Sequence, residues 1–450
     1  MRLFAKLPDS WERATLGDVC TRGGGSIQTG PFGSQLHASD YVQVGIPAIM
    51  PKNLGENRID IATIARIKPK DAERLSRYLV RPGDIVYSRR GDVTKRAIAD
   101  AGHAGWLCGT GCLRVRFGGD EVLPRFGFYY LGHPVVREWI SRHAIGATLP
   151  NLNTSILSAL PFVVPPRAEQ EAIVAVLGAL DDKIGLNRRM NETLEAMARA
   201  IFKSWFVDFD PVRAKAEGRQ PFGIDTETAA LFPNSFQDSP LGRVPKGWGI
   251  EKLDQVVEII GGGTPKTTAP EYWGGDIPWF SVVDAPRPSD VFIIDTEKRI
   301  TKPGLDNSSA RVLPERTTII SARGTVGRLA LVGTPMAMNQ SCYGVRPRGR
   351  HGEYFTYFLM RDRIRELSQS THGTVFDTIT RDTFKIVHTV TPPEDLTLRF
   401  DAVAQPLMER MPLNLMESKT LAATRDALLP KLISGEIRVK DAERIMGKVM

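Results

Sequence analysis

From Ile173 onward, residues of one stripe return at alternating intervals of four and three: Ile173, Leu177, Leu180, Ile184, Asn187, Asn191, Leu194, Ala198, Ile201 and Trp205. This is the a/d seam of a helix that packs along another helix. It predicts a helix from about Glu169 to Phe206, begun after the Pro165-Pro166 break and roughly 57 Å long at 1.5 Å per residue. The same positions recur 227 residues later (Pro165 to Pro392) as Phe400, Ala404, Leu407, Met411, Asn414, Ser418, Leu421, Arg425, Leu428 and Leu432, a weaker copy. An insertion within a helix rotates its apolar face, so a constant displacement points to a repeated helix, and each copy is the natural partner of the other. The expected seam is Leu177, Leu180, Ile184, Asn187, Leu194 and Ile201 against Leu407, Met411, Asn414, Leu421 and Leu428. Asn187 and Asn414 hold equivalent positions, where a polar pair costs stability and fixes register. Residues 207–243 are rich in Pro, Gly and polar side chains and, if extended, span on the order of 100 Å, so parallel and antiparallel pairing both stay open on length.

The stretches before the two helices carry a different pattern. Short β-branched and aromatic runs, such as Asp84 to Ser88 and Thr317 to Ser321, are broken by Gly and Pro, and Phe126 to Leu131 and Tyr354 to Leu359 open helical stretches. Each half reads as a mixed α/β domain, and the whole as α+β with an internal repeat. Leu7-Pro8-Asp9-Ser10-Trp11 recurs as Val244-Pro245-Lys246-Gly247-Trp248, a displacement of 237, and three glycines follow each, Gly23 to Gly25 and Gly261 to Gly263. Ile46-Pro47 matches Ile277-Pro278, Ser88 to Val93 matches Ser321 to Val326, and Cys112 with Val115-Arg116 matches Cys342 with Val345-Arg346, a displacement of 230 for the cysteines. The expected organisation is therefore a first domain over 1–165, a helical spacer over 166–208, a linker over 209–243, a second domain over 244–392, a second spacer over 393–436 and a tail over 437–450.

Basic residues gather where the apparent strands meet loops: Arg89, Arg90, Lys95 and Arg96 in the first half, Arg323 and Arg328 in the second. A Gly beside such an arginine admits close approach of a phosphate, and an arginine fork matches guanine O6 and N7. The two glycine loops read as matching places, offering Gln28 and Lys266 to a base or phosphate. Lys52, Asn53, Asn339 and Gln340 are further polar candidates. The second loop resembles a Walker loop but fails it, because Pro265 stands where a glycine is needed.

Composition narrows the classes. Hydrophobic residues at 42% and charged residues at 24% match a packed protein, and no apolar run reaches the roughly 20 residues of a membrane helix, so a cytoplasmic protein is expected. Met1 to Lys6 carries two basic residues without the apolar run of a secretory signal. The net charge of +8 favours a polyanion without identifying one. Four cysteines, with no Cys-x-x-Cys pair, give neither a disulfide framework nor a zinc site; Cys108, Cys112 and His103 lack a fourth ligand. No cofactor loop, no Asn/Asp-Pro-Pro-aromatic tetrapeptide and no deaminase or metalloprotease signature occurs: Pro165-Pro166 is followed by Arg167, and Pro392-Pro393 by Glu394. A non-catalytic protein is expected.

The order and duplication of these features resemble the specificity subunits of Type I restriction-modification systems. The resemblance rests on Pro8 to Trp11 and Pro245 to Trp248, on each Pro-Pro before a long helix, on Lys203 to Pro211 closing the first helix, and on Leu231-Phe232-Pro233 running into Leu241 to Trp248. It implies two target-recognition domains held by a pair of long antiparallel helices, each reading one half of a bipartite asymmetric target in double-stranded DNA. It also implies two modification (methyltransferase) subunits docked near outward positions such as Arg188, Arg189 and Glu192, and restriction (translocase/endonuclease) subunits joined to that core. S-adenosylmethionine, ATP and Mg2+ are then expected on the partners and no cofactor on this chain. The rival readings are a stand-alone DNA-binding regulator with a coiled-coil spacer and a DNA-modifying enzyme with an unrecognised active site.

Overall fold

The computed structural model describes residues 7–55, 57–146, 150–286, 290–369 and 378–439; Met1 to Lys6 and the expected tail beyond residue 439 lie outside them. Both seam patterns form single helices of equal length, Arg167–Phe206 and Glu394–Ile433, each of 40 residues. The chain divides into two compact units, Met1–Ile184 with Thr420–Met450, and Gly185–Lys419. The division falls within both long helices, so each unit contains a part of both.

Within each unit the two long helices run antiparallel. In the second unit Asn187 Nδ2 donates to Glu417 Oε2 (2.7 Å), to Ser418 Oγ (3.3 Å) and to the Asn414 carbonyl (3.4 Å), while Asn414 Nδ2 donates to Asn191 Oδ1 (2.8 Å). Equivalent positions of two repeated antiparallel helices can meet only at their midpoints, and Asn187 and Asn414 lie at the middle of their helices. In the first unit Arg425 Nη1 reaches Asp181 Oδ1 at 2.6 Å, and Leu177, Leu180, Leu421 and Leu428 share one core. Leu177, Leu180, Asn187, Met411, Asn414, Leu421 and Leu428 are buried; Ile184, Leu194, Ile201 and Leu407 are half-buried, with Met408 buried beside Leu407.

The globular parts repeat the same three strand pairings. The first unit has an antiparallel sheet in the order Ser26–Thr29, Cys112–Arg116, Ile85–Ser88, Arg96–Ile98; the second has Val257–Gly261, Cys342–Pro347, Thr318–Ser321, Leu329–Val332, extended by Phe292–Ile293. A smaller sheet in each contains one parallel pair, Ile46–Ile49 with Leu107–Cys108 and Trp273–Phe280 with Ala337–Met338. A third pairing closes each domain at its Pro-Pro junction, Glu12–Thr15 with Pro161–Val164 and Gly249–Lys252 with His388–Thr391.

The repeated tryptophans explain why each unit needs sequence from both halves. Trp11 is buried, donates Nε1 to Glu169 Oε2 at 3.0 Å and lies beside Gly435 past the end of the second helix. Trp248 is buried against Phe206 and Phe209 at the end of the first helix, with ring centroids at 6.1 and 5.6 Å. The described part of the tail joins the first unit: Ile437 and Val439 pack on its core, and Arg438 meets Glu169 at 3.3 Å.

Residues 209–243, read from their composition as a linker, are folded rather than extended. They fold as helices Asp210–Ala216 and Thr226–Ala230 and a hairpin, Phe236–Ser239 with Gly242–Pro245. Phe209, Val212 and Phe232 supply the reason, since all three are buried in the second unit's core, with Phe232 5.3 Å from Trp205. Arg399 ties the segment to the second long helix through Thr228 Oγ1 (2.9 Å) and Glu227 Oε2 (2.6 Å).

Asp401, on the second long helix, caps the helix Glu353–Gln369 by accepting from the amides of Tyr354 (3.0 Å) and Phe355 (2.8 Å). Burial pushes its carboxyl up to about 6 against the effect of these donors. A raised acid stabilises the fold fully only below its unfolded value near 3.9, and that contribution is lost as pH rises through about 6. Asp401→Asn is therefore expected to remove on the order of 2–3 kcal/mol of the pH dependence of unfolding between pH 4 and 7, read from urea titrations of both proteins. Identical slopes would show that Asp401 does not titrate this way.

Candidate nucleic-acid interface

In each unit the central hairpin of the larger sheet turns through a loop of the same length, Arg89 to Lys95 between Ile85–Ser88 and Arg96–Ile98, and Ala322 to Arg328 between Thr318–Ser321 and Leu329–Val332. Strand register makes the loops equivalent residue by residue, because Ser88 pairs with Cys112 and Ser321 with Cys342. Each loop closes on its leading serine. Ser88 Oγ donates to the Arg90 carbonyl at 2.8 Å, while Ser321 Oγ donates to the Thr325 carbonyl and accepts from the Arg328 amide at 2.8 Å. Gly91 and Gly324 follow at φ +73 and +78, a left-handed turn that costs glycine little.

Two cationic positions recur on this frame. Arg90 matches Arg323 just before the glycine, and Lys95 matches Arg328, whose carbonyls both accept from the leading serine's amide. All four are exposed, and none of the four side chains makes a hydrogen bond among the described residues. Lys52 and Lys266 are likewise exposed. Arg89 is half-buried, donates Nε to Asn151 Oδ1 at 3.2 Å and lies over the Phe32 ring at 5.7 Å.

The other candidates are engaged by bonds within the fold. Arg96 is only 7% exposed: Nε donates to the Phe128 carbonyl at 3.3 Å, the guanidinium lies 4.9 Å from the Phe128 ring, and burial lowers its pKa. Its counterpart is Leu329, so this is a packing position in both copies. Asn53, 1% exposed, accepts from the Met50 amide (3.0 Å) and donates to the Asp60 carbonyl (3.1 Å); Asp284 accepts from the Ser281 amide (2.8 Å) at the same turn of the second unit. Neither Arg96 nor Asn53 presents a free group. Gln28 lies within a strand, not a loop, and its Oε1 accepts from Arg114 Nη2 at 2.8 Å. Asn339 Oδ1 accepts from the Ser341 amide at 3.0 Å, and exposed Gln340 bonds Thr264.

The two triple-glycine runs are not structural equivalents. Gly23 to Gly25 precede the first strand of their sheet, whereas Gly261 ends the corresponding strand and Gly262 and Gly263 follow it. The true partner of Gly262 is Gly30. A Cβ on Gly30 would fall 2.1 Å from the Gly109 carbonyl oxygen, and one on Gly262 would fall 1.9 Å from the Asn339 carbonyl oxygen. Lys266 and Gln28 therefore do not occupy matching places.

Several other charged and titratable groups are engaged within the fold. Asp84 is clasped by Arg116 through Nε at 2.6 Å and Nη2 at 2.5 Å, and Arg346, the repeat of Arg116, pairs with Glu353 at 2.7 Å. Burial pushes the thiols of Cys20, Cys108 and Cys342 up to about 12, which leaves them protonated. His103 pairs with Asp100 at 2.7 Å. Among the described residues no group of three or more His, Cys, Asp or Glu side chains is placed to hold a metal ion, and no helix is long and apolar enough to cross a membrane.

Phe32 and Asn151 were not legible as site residues in the sequence. A lone aromatic between Pro31 and Gly33 belongs to no periodic stripe, and Asn151 meets Arg89 only through a contact distant along the chain.

Residues 8–196 and 245–395 match the family model described as "Type I restriction modification DNA specificity domain". The chain is 28% identical to the Type I restriction enzyme HindI specificity subunit of Haemophilus influenzae over 82% of its own length and 89% of that protein. It is 25% identical to the MjaIX specificity subunit of Methanocaldococcus jannaschii over 97% and 96% of the respective chains. The crystal structure of the S subunit from the Type I restriction-modification system of M. genitalium has the same fold, with TM-score 0.52 at 14% identity over 96% of this chain and 98% of that one.

Proposed function

Given that the chain belongs to the Type I restriction modification DNA specificity family, whose domain it carries twice, we propose that it is the subunit that reads a bipartite, asymmetric DNA target, one half-site for each repeat. The observation that carries this reading is the duplicated loop with exposed cations at the same two positions, Arg90 with Lys95 and Arg323 with Arg328. Arginine at a loop tip can fork onto a guanine edge, and a lysine nearby holds a phosphate, so one loop both anchors and discriminates. Differences between the repeats around these loops account for two different half-sites.

The chain acts in the cytoplasm as a non-catalytic member of a larger assembly with two modification subunits and with restriction subunits. It binds no cofactor itself: S-adenosylmethionine lies on the modification subunits, and ATP with Mg2+ on the restriction subunits. Arg189 and Glu192, exposed on the first long helix, are available to such a partner. Family membership favours this reading over a stand-alone regulator.

The test is reconstitution. The purified chain mixed with target DNA, S-adenosylmethionine and Mg2+ is expected to transfer no methyl group, and addition of the modification subunits is expected to yield methyladenine within one bipartite motif. Turnover by the chain alone would instead assign it an active site of its own.

A further inference from the structure

Phe32 is 53% exposed in a loop that begins at Gly30, where the backbone presses against the Gly109 carbonyl. Pro31 restricts the approach to it, and the Arg89 guanidinium, itself held by Asn151, covers one face of its ring. About half of Phe32 remains exposed, beside the loop that carries Arg89, Arg90 and Lys95. An exposed aromatic ring backed by an arginine of a cationic loop is poorly explained by packing and well suited to a nucleic acid, whose phosphates meet the loop's cations while a base offers an apolar surface.

The second repeat does not copy it. With Gly30 equivalent to Gly262 and Ser88 to Ser321, Phe32 falls on Thr264 and Arg89 on Ala322. There Thr264 is bonded to the exposed Gln340, so a polar pair replaces the ring and its guanidinium.

We propose that Phe32, backed by Arg89, makes an apolar contact with one base of the half-site read by the first repeat and is a specificity-determining residue of that half, while Thr264 and Gln340 set a polar contact in the other. This rests on the DNA-reading function proposed above. The contact is either with a thymine methyl group or by stacking on a base face, two forms of the same apolar chemistry.

The experiment uses the full chain with its modification subunits and duplexes carrying the methylated motif, titrated with wild type, Phe32→Ala, Phe32→Tyr and Arg90→Ala. Deoxyuracil replaces each thymine in turn, and 2-aminopurine replaces each adenine. Phe32→Ala is expected to lose about 10- to 100-fold in affinity for the target while keeping its affinity for unrelated DNA and its salt dependence, and Phe32→Tyr to stay within about threefold of wild type. For a methyl contact, one deoxyuracil substitution in a single half-site weakens wild type but not Phe32→Ala. For stacking, a fluorescence change at one 2-aminopurine is present in wild type and absent in Phe32→Ala. Wild-type discrimination retained by Phe32→Ala at every base overturns the proposal. Failure of wild type to prefer the motif over unrelated DNA overturns the DNA-reading function itself, a separate and recognisable result.

Discussion

Phe202→Ala is expected to destabilise the second unit by about 3–5 kcal/mol, the cost of emptying a large aromatic from a packed core. Phe202 is 4% exposed on the first long helix, and its ring centroid lies 5.8 Å from Phe400 on the second long helix. It lies 5.8 and 5.7 Å from Phe355 and Phe358 on the helix Glu353–Gln369. One side chain thus holds both long helices to the second globular part. Denaturant titration reports the loss directly. A midpoint within error of wild type would mean that these rings do not hold the unit together.

Replacing Arg90 or Arg323 by Ala is expected to weaken target binding by about 10- to 100-fold each, the range for losing a bidentate contact to a base, with the double variant near non-specific affinity. Neither side chain makes a hydrogen bond among the described residues, so folding and assembly with partner subunits are expected to survive. Titrations at two salt concentrations separate the roles. A lost base contact relaxes specificity at one position, whereas a lost phosphate contact weakens all sequences alike and lowers the salt slope by about one. Unchanged affinity in both single variants would remove these loops from the interface.

Much of the architecture was written in the sequence because helices preserve register. The displacement of 227 from Pro165 to Pro392 identified both long helices and made Asn187 and Asn414 equivalent, and the antiparallel pairing seen in the structure brings the two together. This held even though Pro406, Pro412 and Pro430 lie inside the second helix, where local rules argue for a break. Burial of Phe400, Ala404, Met408 and Met411 against the first helix overrides that local cost. The folded connection over 209–243 was hidden for the opposite reason: Phe209, Val212 and Phe232 are too widely spaced to show periodicity, and their partners lie on other elements.

The site was less legible than the fold. A basic residue at a strand end reads the same whether it faces water, as Arg90 does, or turns inward onto Phe128, as Arg96 does, because alternation along a strand is lost where the strand becomes a loop. Likewise, the matching triple glycines suggested equivalence that strand pairing denies, since each run serves a different backbone approach. Arg90 and Arg323 stood out because serine and glycine flank both at the same spacing.

Sequencing adenine methylation across the genome of the host, with this gene intact and deleted, tests the central claim most directly. Deletion is expected to abolish methylation at one motif made of two unlike half-sites separated by an unread gap, with every other methylated motif unchanged. A methylome identical in the two strains of a host that retains functional modification subunits would contradict it.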